Sequence, residues 1–192
     1  MLRTSVPPPP IENVTLPSGL EVLIRPIESG DEPRLRDGLE KLSPKSKYQR
    51  FLRPDFHPSD ADFWYLAHPD VPYHLCLVMG VPATETEPEK GIAVARSIRI
   101  PDLGDDVAEF AIVVVDDYQG QGVGRTLLRS LSRWAYETGV RRWYSIMVAN
   151  NEAVVKAAQA IADLEERKII DPGVMECTFR LRPPGEEDAP AA

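Results

Sequence analysis

Tyr118-Gln119-Gly120-Gln121-Gly122-Val123-Gly124-Arg125-Thr126 is the stretch on which the reading of this chain turns. Three glycines at alternate positions separate an apolar run, Phe110 to Val115, from an amphipathic run, Leu127 to Tyr136. This predicts strand, glycine turn, helix. The first turn of such a helix presents N–H groups that lack intrahelical acceptors, at the positive end of its macrodipole. Glycines let that backbone approach a phosphate closely. The pattern therefore points to an anionic, phosphate-bearing ligand.

Spacing separates the kinds of glycine loop. A P-loop needs G-x-x-x-x-G-K-[ST], but Gln119 and Arg125 occupy the positions of its first glycine and its lysine. A dinucleotide fingerprint accepts Gly120 and Gly122 but meets Arg125 at its third glycine, late in the chain. Gln119-x-x-Gly122-x-Gly124 instead resembles the acyl-CoA-binding signature [RQ]-x-x-G-x-[GA] of the GNAT superfamily of N-acetyltransferases. The run Val115-Asp116-Asp117-Tyr118-Gln119-Gly120-Gln121-Gly122-Val123-Gly124 is similar to a near-complete version of it. The resemblance spans roughly residues 18–182 and is densest at 106–138. Val107 to Ala111, Val-Ala-Glu-Phe-Ala, is similar to the strand before this loop in bacterial protein-lysine acetyltransferase domains.

The coarse pattern agrees. Strands are predicted at Leu20–Arg25, Tyr73–Met79, Ile92–Ile100, Val107–Val115, Trp143–Val148, Arg167–Ile170 and Met175–Leu181. Helices are predicted at Asp31–Leu42, at Pro44–Leu52 with Ser43 as N-cap, at Ser59–Ala67, after the glycines to Gly139, and at Asn151–Ala162. The fold class is α/β (α+β), a GNAT-like mixed and mostly antiparallel central sheet with helices on both faces. Val107–Val115 is read as central and covered on both sides. Residues 1–14, with Pro7 to Pro10, read as a proline-rich flexible arm; residues 183–192 read as an acidic disordered tail; 15–182 form the catalytic domain.

Composition narrows the partners. A formal net charge of −8 over 192 residues disfavours nucleic acid and acidic membranes, which need a basic face. No apolar stretch approaches the ~18 residues of a transmembrane helix, and the N-terminus has no signal-peptide core, so a cytoplasmic location is expected. Cys76 and Cys177 imply neither disulfide framework nor zinc site, and His57, His68 and His74 lack metal-ligand spacing. They are read as packing or surface residues, with no metal.

What the resemblance implies is an acetyl-CoA-dependent transfer to a primary amine, a protein lysine or a small molecule, in a ternary complex. The turn, Gln119, Gly120, Gln121, Gly122, Val123, Gly124, Arg125 and Thr126, would hold the pyrophosphate of coenzyme A. The main chain of Val113, Val114 and Val115 would pair with pantetheine, and Asn151 (or Asn150) would steady the cofactor arm. An ordinary helix N-cap is the competing reading of either asparagine. Glu109, the sole carboxylate in an apolar strand, is the candidate base, and apolar neighbours would raise its pKa. A solvent-facing or arginine-paired glutamate is the alternative. Many members carry a tyrosine where this chain has Ala158, which leaves Tyr118 and Tyr144 as available phenols for the leaving thiolate. Phe63, Trp64, Tyr65 and Tyr73 read as core packing ahead of an acceptor wall. Two non-catalytic readings stand beside the enzyme: an acyl-CoA-binding regulatory module, and an adaptor that uses its proline arm.

Overall fold

The computed structural model describes residues 7–186. Eight strands, β1 (Glu12–Thr15), β2 (Glu21–Pro26), β3 (His74–Val81), β4 (Lys90–Arg99), β5 (Val107–Val114), β6 (Arg142–Val148), β7 (Ala162–Asp171) and β8 (Val174–Leu181), form one sheet. Their order is β1-β2-β3-β4-β5-β6-β8-β7. Every pairing is antiparallel except β5 with β6, the two strands joined through the glycine turn and its helix. The described residues also form five α-helices: α1 (Glu32–Glu40), α2 (Pro44–Phe51), α3 (Asp60–Ala67), α4 (Val123–Glu137) and α5 (Glu152–Gln159).

Strand alternation sorts side chains onto two faces. Leu75, Leu77 and Met79 of β3 join the main core with Leu127, Leu128, Leu131 and Trp134 of α4, while Cys76 and Val78 pack with Leu35 of α1. Phe110, fully buried, stacks on Trp143 at 5.0 Å and meets Phe179 edge-on at 5.7 Å. These contacts fix β5 against β6 and β8 on the α4 side.

Helix ends follow local chemistry. Ser43 Oγ accepts the Ser46 N–H at 3.2 Å, Pro44 opens α2, and Leu52 at φ 54° closes it. Ser59 and Asp62 cap α3 reciprocally. Beyond α4, Gly139 at φ 96° bonds Tyr136 O at 3.0 Å, and Val140 N–H reaches Ala135 O at 3.0 Å, a Schellman ending.

Three expectations are revised. Glu12 to Val14, assigned to the flexible arm, belong to the four-residue edge strand β1 and pair with β2. Residues 1–6, and 187–192 of the acidic tail, lie outside the described residues. The last helix ends at Gln159, and β7 runs from Ala162 to Asp171, far longer than Arg167–Ile170. Its residues 165–171 are exposed at the sheet edge and mostly charged, so no alternation marked them. Finally, β5 is central but covered on both faces only at its start; Ala111 to Val114 are half-buried.

Candidate active site

The reason for that half-burial is a parting of strands. β5 and β6 pair only at Val107↔Arg142, Ala108↔Trp143 and Glu109↔Tyr144. Beyond Glu109 they diverge, and a cleft opens between them. Its lobe at the strand fork has a volume of about 290 Å³ and is lined by Glu109, Ile112, Ile146 and Asn151, with Arg50 of α2 above. A second lobe of about 320 Å³ continues to the glycine turn, sharing Gln49, Arg50, Ile112, Asn151 and Val154 with the first.

Main-chain direction decides which groups face the gap. The Val115 N–H bonds Ile92 O of β4 at 2.9 Å. Alternation along an extended strand puts Val113 on the same side, toward β4, and turns the N–H and C=O of Ile112 and Val114 toward the cleft. Val114 O accepts Gln119 Nε2 from that side at 3.0 Å. So of the three valines named from sequence, only Val114 offers its backbone to the gap; Ile112, unnamed there, joins it.

The turn is built as its sequence implies. Gly120 at φ 74° and Gly122 at φ 88° sit in left-handed backbone that a side chain would strain. The Thr126 N–H on Gly122 O, at 3.0 Å, starts the α4 ladder, so the N–H groups of Val123 and Gly124 precede it at the positive end of the helix. Gly124 differs from its neighbours. Its backbone is helical, and a Cβ there would only touch Ile112 Cδ1 at 3.7 Å and Val114 Cγ2 at 3.9 Å, ordinary contacts. Neither strain nor protein packing demands glycine at 124, and the missing side chain leaves this side of the cleft open. The residues present therefore fit a phosphate-bearing arm running from turn to fork. Arg125 also lines this lobe.

A clasp that the sequence reading missed holds the turn against α2. The Asp116 carboxylate accepts Ser43 N–H at 3.0 Å, Ser43 Oγ–H at 2.6 Å and Ser46 Oγ–H at 2.9 Å. Partial burial disfavours its charge, but the Ser43 and Ser46 donors hold its pKa below the ordinary value. Gln119 Nε2 adds a bond to Ser46 Oγ at 3.1 Å, and Gln121 Nε2 donates to Asp117 O at 2.8 Å.

Glu109 stands at the fork with its side chain exposed. The apolar enclosure expected for it is absent, because Ala108 and Phe110 point to the opposite face. Its ladder neighbour Tyr144 donates to Glu176 Oε2 at 2.9 Å. Burial, then the Glu176 bond and the charge of Glu109, push the phenol up to about 12. Tyr118 lines the turn lobe instead, with Lys90 5.1 Å above its ring. Ala158 is fully buried in the main core, so this position faces away from the cleft. Asn151 is buried, makes no side-chain capping bond and lines both lobes, whereas Asn150 is exposed. The simple N-cap reading therefore loses to a cleft-facing amide.

Other candidates scatter. Only Phe63 of the aromatic set is buried; Trp64, Tyr65 and Tyr73 are about half exposed, at 58%, 49% and 49%. His74 is buried, with Nε2 3.0 Å from Arg96 Nη1. Burial and then Arg96 pull its pKa down to about 4. Among the described residues no cluster of metal-ligating side chains occurs, and no helix is long and apolar enough to cross a membrane.

Known proteins are similar to this chain. The chain is 29% identical to the acetyltransferase PA5475 of Pseudomonas aeruginosa over 153 residues, 80% of each protein. It is 34% identical to the acetyltransferase Pat of Mycolicibacterium smegmatis over 133 residues, 69% of this chain but only 38% of that one. Among solved structures it is similar to the GNAT domain of S. lividans PAT, with a TM-score of 0.76 and 30% identity over 89% of this chain and 97% of that one. The sequence model of the Acetyltransferase (GNAT) family matches residues 39–160. With more than half its length matched and the strand fork and glycine turn in place, the chain belongs to the GNAT acetyltransferase family, and it is an acetyl-CoA-dependent N-acyltransferase.

Proposed function

We propose that this protein transfers the acetyl group of acetyl-CoA to the side-chain amine of a protein lysine, by direct attack in a ternary complex. The observation that carries the reading is Glu109, a carboxylate at the strand fork, in one continuous cleft with the glycine turn. Likeness to the GNAT domain of S. lividans PAT and to Pat supports a protein acceptor. A solved relative described with its cofactor acetyl-CoA shares the fold at 17% identity. Two buried free thiols, Cys76 and Cys177, suit a reducing, cytoplasmic setting.

In this reading the N–H groups of Val123 and Gly124, with Gln119, Gly120, Gln121, Gly122, Arg125 and Thr126 around them, hold the pyrophosphate. Ile112 and Val114 pair with the pantetheine arm, and Asn151 steadies it from α5. Bound acetyl-CoA supplies an activated thioester. Glu109 takes a proton from the incoming ammonium, whose ordinary pKa of ~10.4 otherwise leaves it without a lone pair. An N–H at the fork stabilises charge on the carbonyl oxygen. The departing thiolate, of ordinary pKa ~8.5, needs little help from an acid; Tyr144, paired with Glu109 in the ladder, and Tyr118, which lines the turn lobe, are the available phenols.

The test is incubation of full-length protein with isotopically labelled acetyl-CoA and a cell extract, read by mass spectrometry. Label on defined protein lysines supports the reading. Label on metabolites alone moves the acceptor to a small amine. Tight acetyl-CoA binding without label anywhere identifies a binding module.

A further inference from the structure

A third cavity, of about 100 Å³, lies on the face of the sheet covered by α1, α2 and α3. Its walls are mostly apolar, with Leu39, Phe63, Val94 and Val113 among them, and Arg50, Arg96, Arg34 and Asp31 also line it. Arg96 is 2% exposed. Its Nη1 meets His74, and its Nη2 is buried with no hydrogen-bond partner. A buried cation with an unmade bond is costly unless an anion completes it. Nearby carboxylates do not. Asp31 is committed to Arg25 at 2.6 and 2.8 Å and to Arg34 at 2.8 Å, and among the described residues Glu109 makes no ion pair. Arg50 makes no ion pair either among the described residues, and burial followed by Arg96 draws its pKa down to about 10.

The cavity adjoins the site of transfer. Arg50 and Phe51 line both it and the fork lobe that holds Glu109, and Val113 lines both it and the turn lobe. A single water needs about 10–15 Å³ of such space, so the cavity holds several groups of that size. That is room for two methylenes and a carboxylate.

We infer that Arg96 and Arg50 form a subsite for a carboxylate on a short aliphatic chain, delivered beside the thioester. This deepens the acyl-transfer reading and rests on it. Two sources share the chemistry: the far end of an ω-carboxyacyl group on coenzyme A, or a carboxylate on the amine acceptor. In either case the N–C bond forms as the C–S bond breaks. Coenzyme A leaves as the thiol with the proton lost by the amine, and the carboxylate stays ionised on the guanidinium groups.

The experiment uses full-length protein in two arms. The donor arm compares succinyl-CoA with butyryl-CoA, by calorimetric binding and by turnover with one neutral amine. The acceptor arm compares lysine with lysinamide, with acetyl-CoA as donor. A preference of at least tenfold for the carboxylate form is expected in one arm, and that arm identifies the source. Arg96→Met should reduce the preference to less than twofold, with Arg96→Lys restoring part of it. Less than threefold preference in both arms overturns the subsite, as does full preference retained by Arg96→Met. Should Arg96→Met fail to fold, the wild-type comparison still decides, and Arg50→Met replaces it in the binding arm. Turnover of acetyl-CoA without carboxylate preference sinks the subsite alone. If none of these amines turns over, the calorimetric comparison of succinyl-CoA with butyryl-CoA decides the subsite, and labelling of protein lysines in the extract separately decides the acyl-transfer reading.

Discussion

The two faces of β3, β4 and β5 are built from alternate residues of the same strands, and they differ in kind. Toward α4, Leu75, Leu77, Phe110 and Leu131 are fully buried in an apolar core. Toward α1–α3, the corresponding positions hold His74, Arg96 and Glu109, with Arg50 and the Arg25–Asp31 pair above them. Close packing sets the strands on one side so that charge can be held in place on the other. The parting of β5 from β6 belongs to both: the Phe110–Trp143 stack anchors it behind, and the cleft opens in front.

Changes on opposite faces should therefore separate turnover from stability. Glu109→Gln is expected to lower kcat about 10²–10⁴-fold with the melting temperature unchanged, by the usual worth of a general base. Steady-state thiol release with an amine acceptor checks it, and activity within threefold of wild type removes Glu109 from the role. Leu131→Ala, on the apolar face, should cost about 2–5 kcal/mol of stability in urea titration, with kcat per folded molecule kept. A stability loss below 1 kcal/mol would deny the rigid face its part in the comparison.

Acid reaches the charged face first. Burial opposes ionisation of Asp31, but the Arg25 guanidinium, the Glu28 N–H and Arg34 hold its carboxyl down to about 2. A folded pKa below the unfolded ~3.9 means that the contribution is present above pH ~4 and is lost as pH falls toward 2. Unfolding free energy should fall by on the order of 2 kcal/mol over that window, and Asp31→Asn should remove this slope. An unchanged slope in the variant would break the assignment. The smallest effect is expected from Asp116→Ala. Loss of its serine clasp should cost about 1–2 kcal/mol and raise the KM for acetyl-CoA severalfold. An unaltered KM would show that α2 does not steady the turn.

Local features were legible in the sequence. Gly120 and Gly122 announce positive φ by residue type, and Ser43-Pro44 announces a helix start; both need only neighbours in the chain. The resemblance set pantetheine against the main chain of Val113 to Val115, but nothing in the periodicity marks where β5 and β6 part. The Asp116 clasp joins residues 73 positions apart, and nothing near Asp116 marks its partner. Glu109 read as enclosed because Ala108 and Phe110 flank it in sequence, although alternation sends both to the other face. Arg96 and Arg50 looked like ordinary strand and helix residues, since burial of a charge depends on what packs above it. β7 hid for the opposite reason: exposed on its outer run, it carries no hydrophobic period.

The central claim is that the helix N-terminus at Gly124 grips the diphosphate of acetyl-CoA. Gly124→Glu tests it most directly, because a Cβ at 124 meets only ordinary contacts and the position lines the turn lobe of the cleft. Calorimetric titration with acetyl-CoA should show saturable binding to wild type and at least a hundredfold loss in the variant, with both melting at the same temperature. Binding within twofold of wild type in a folded Gly124→Glu protein would contradict the account.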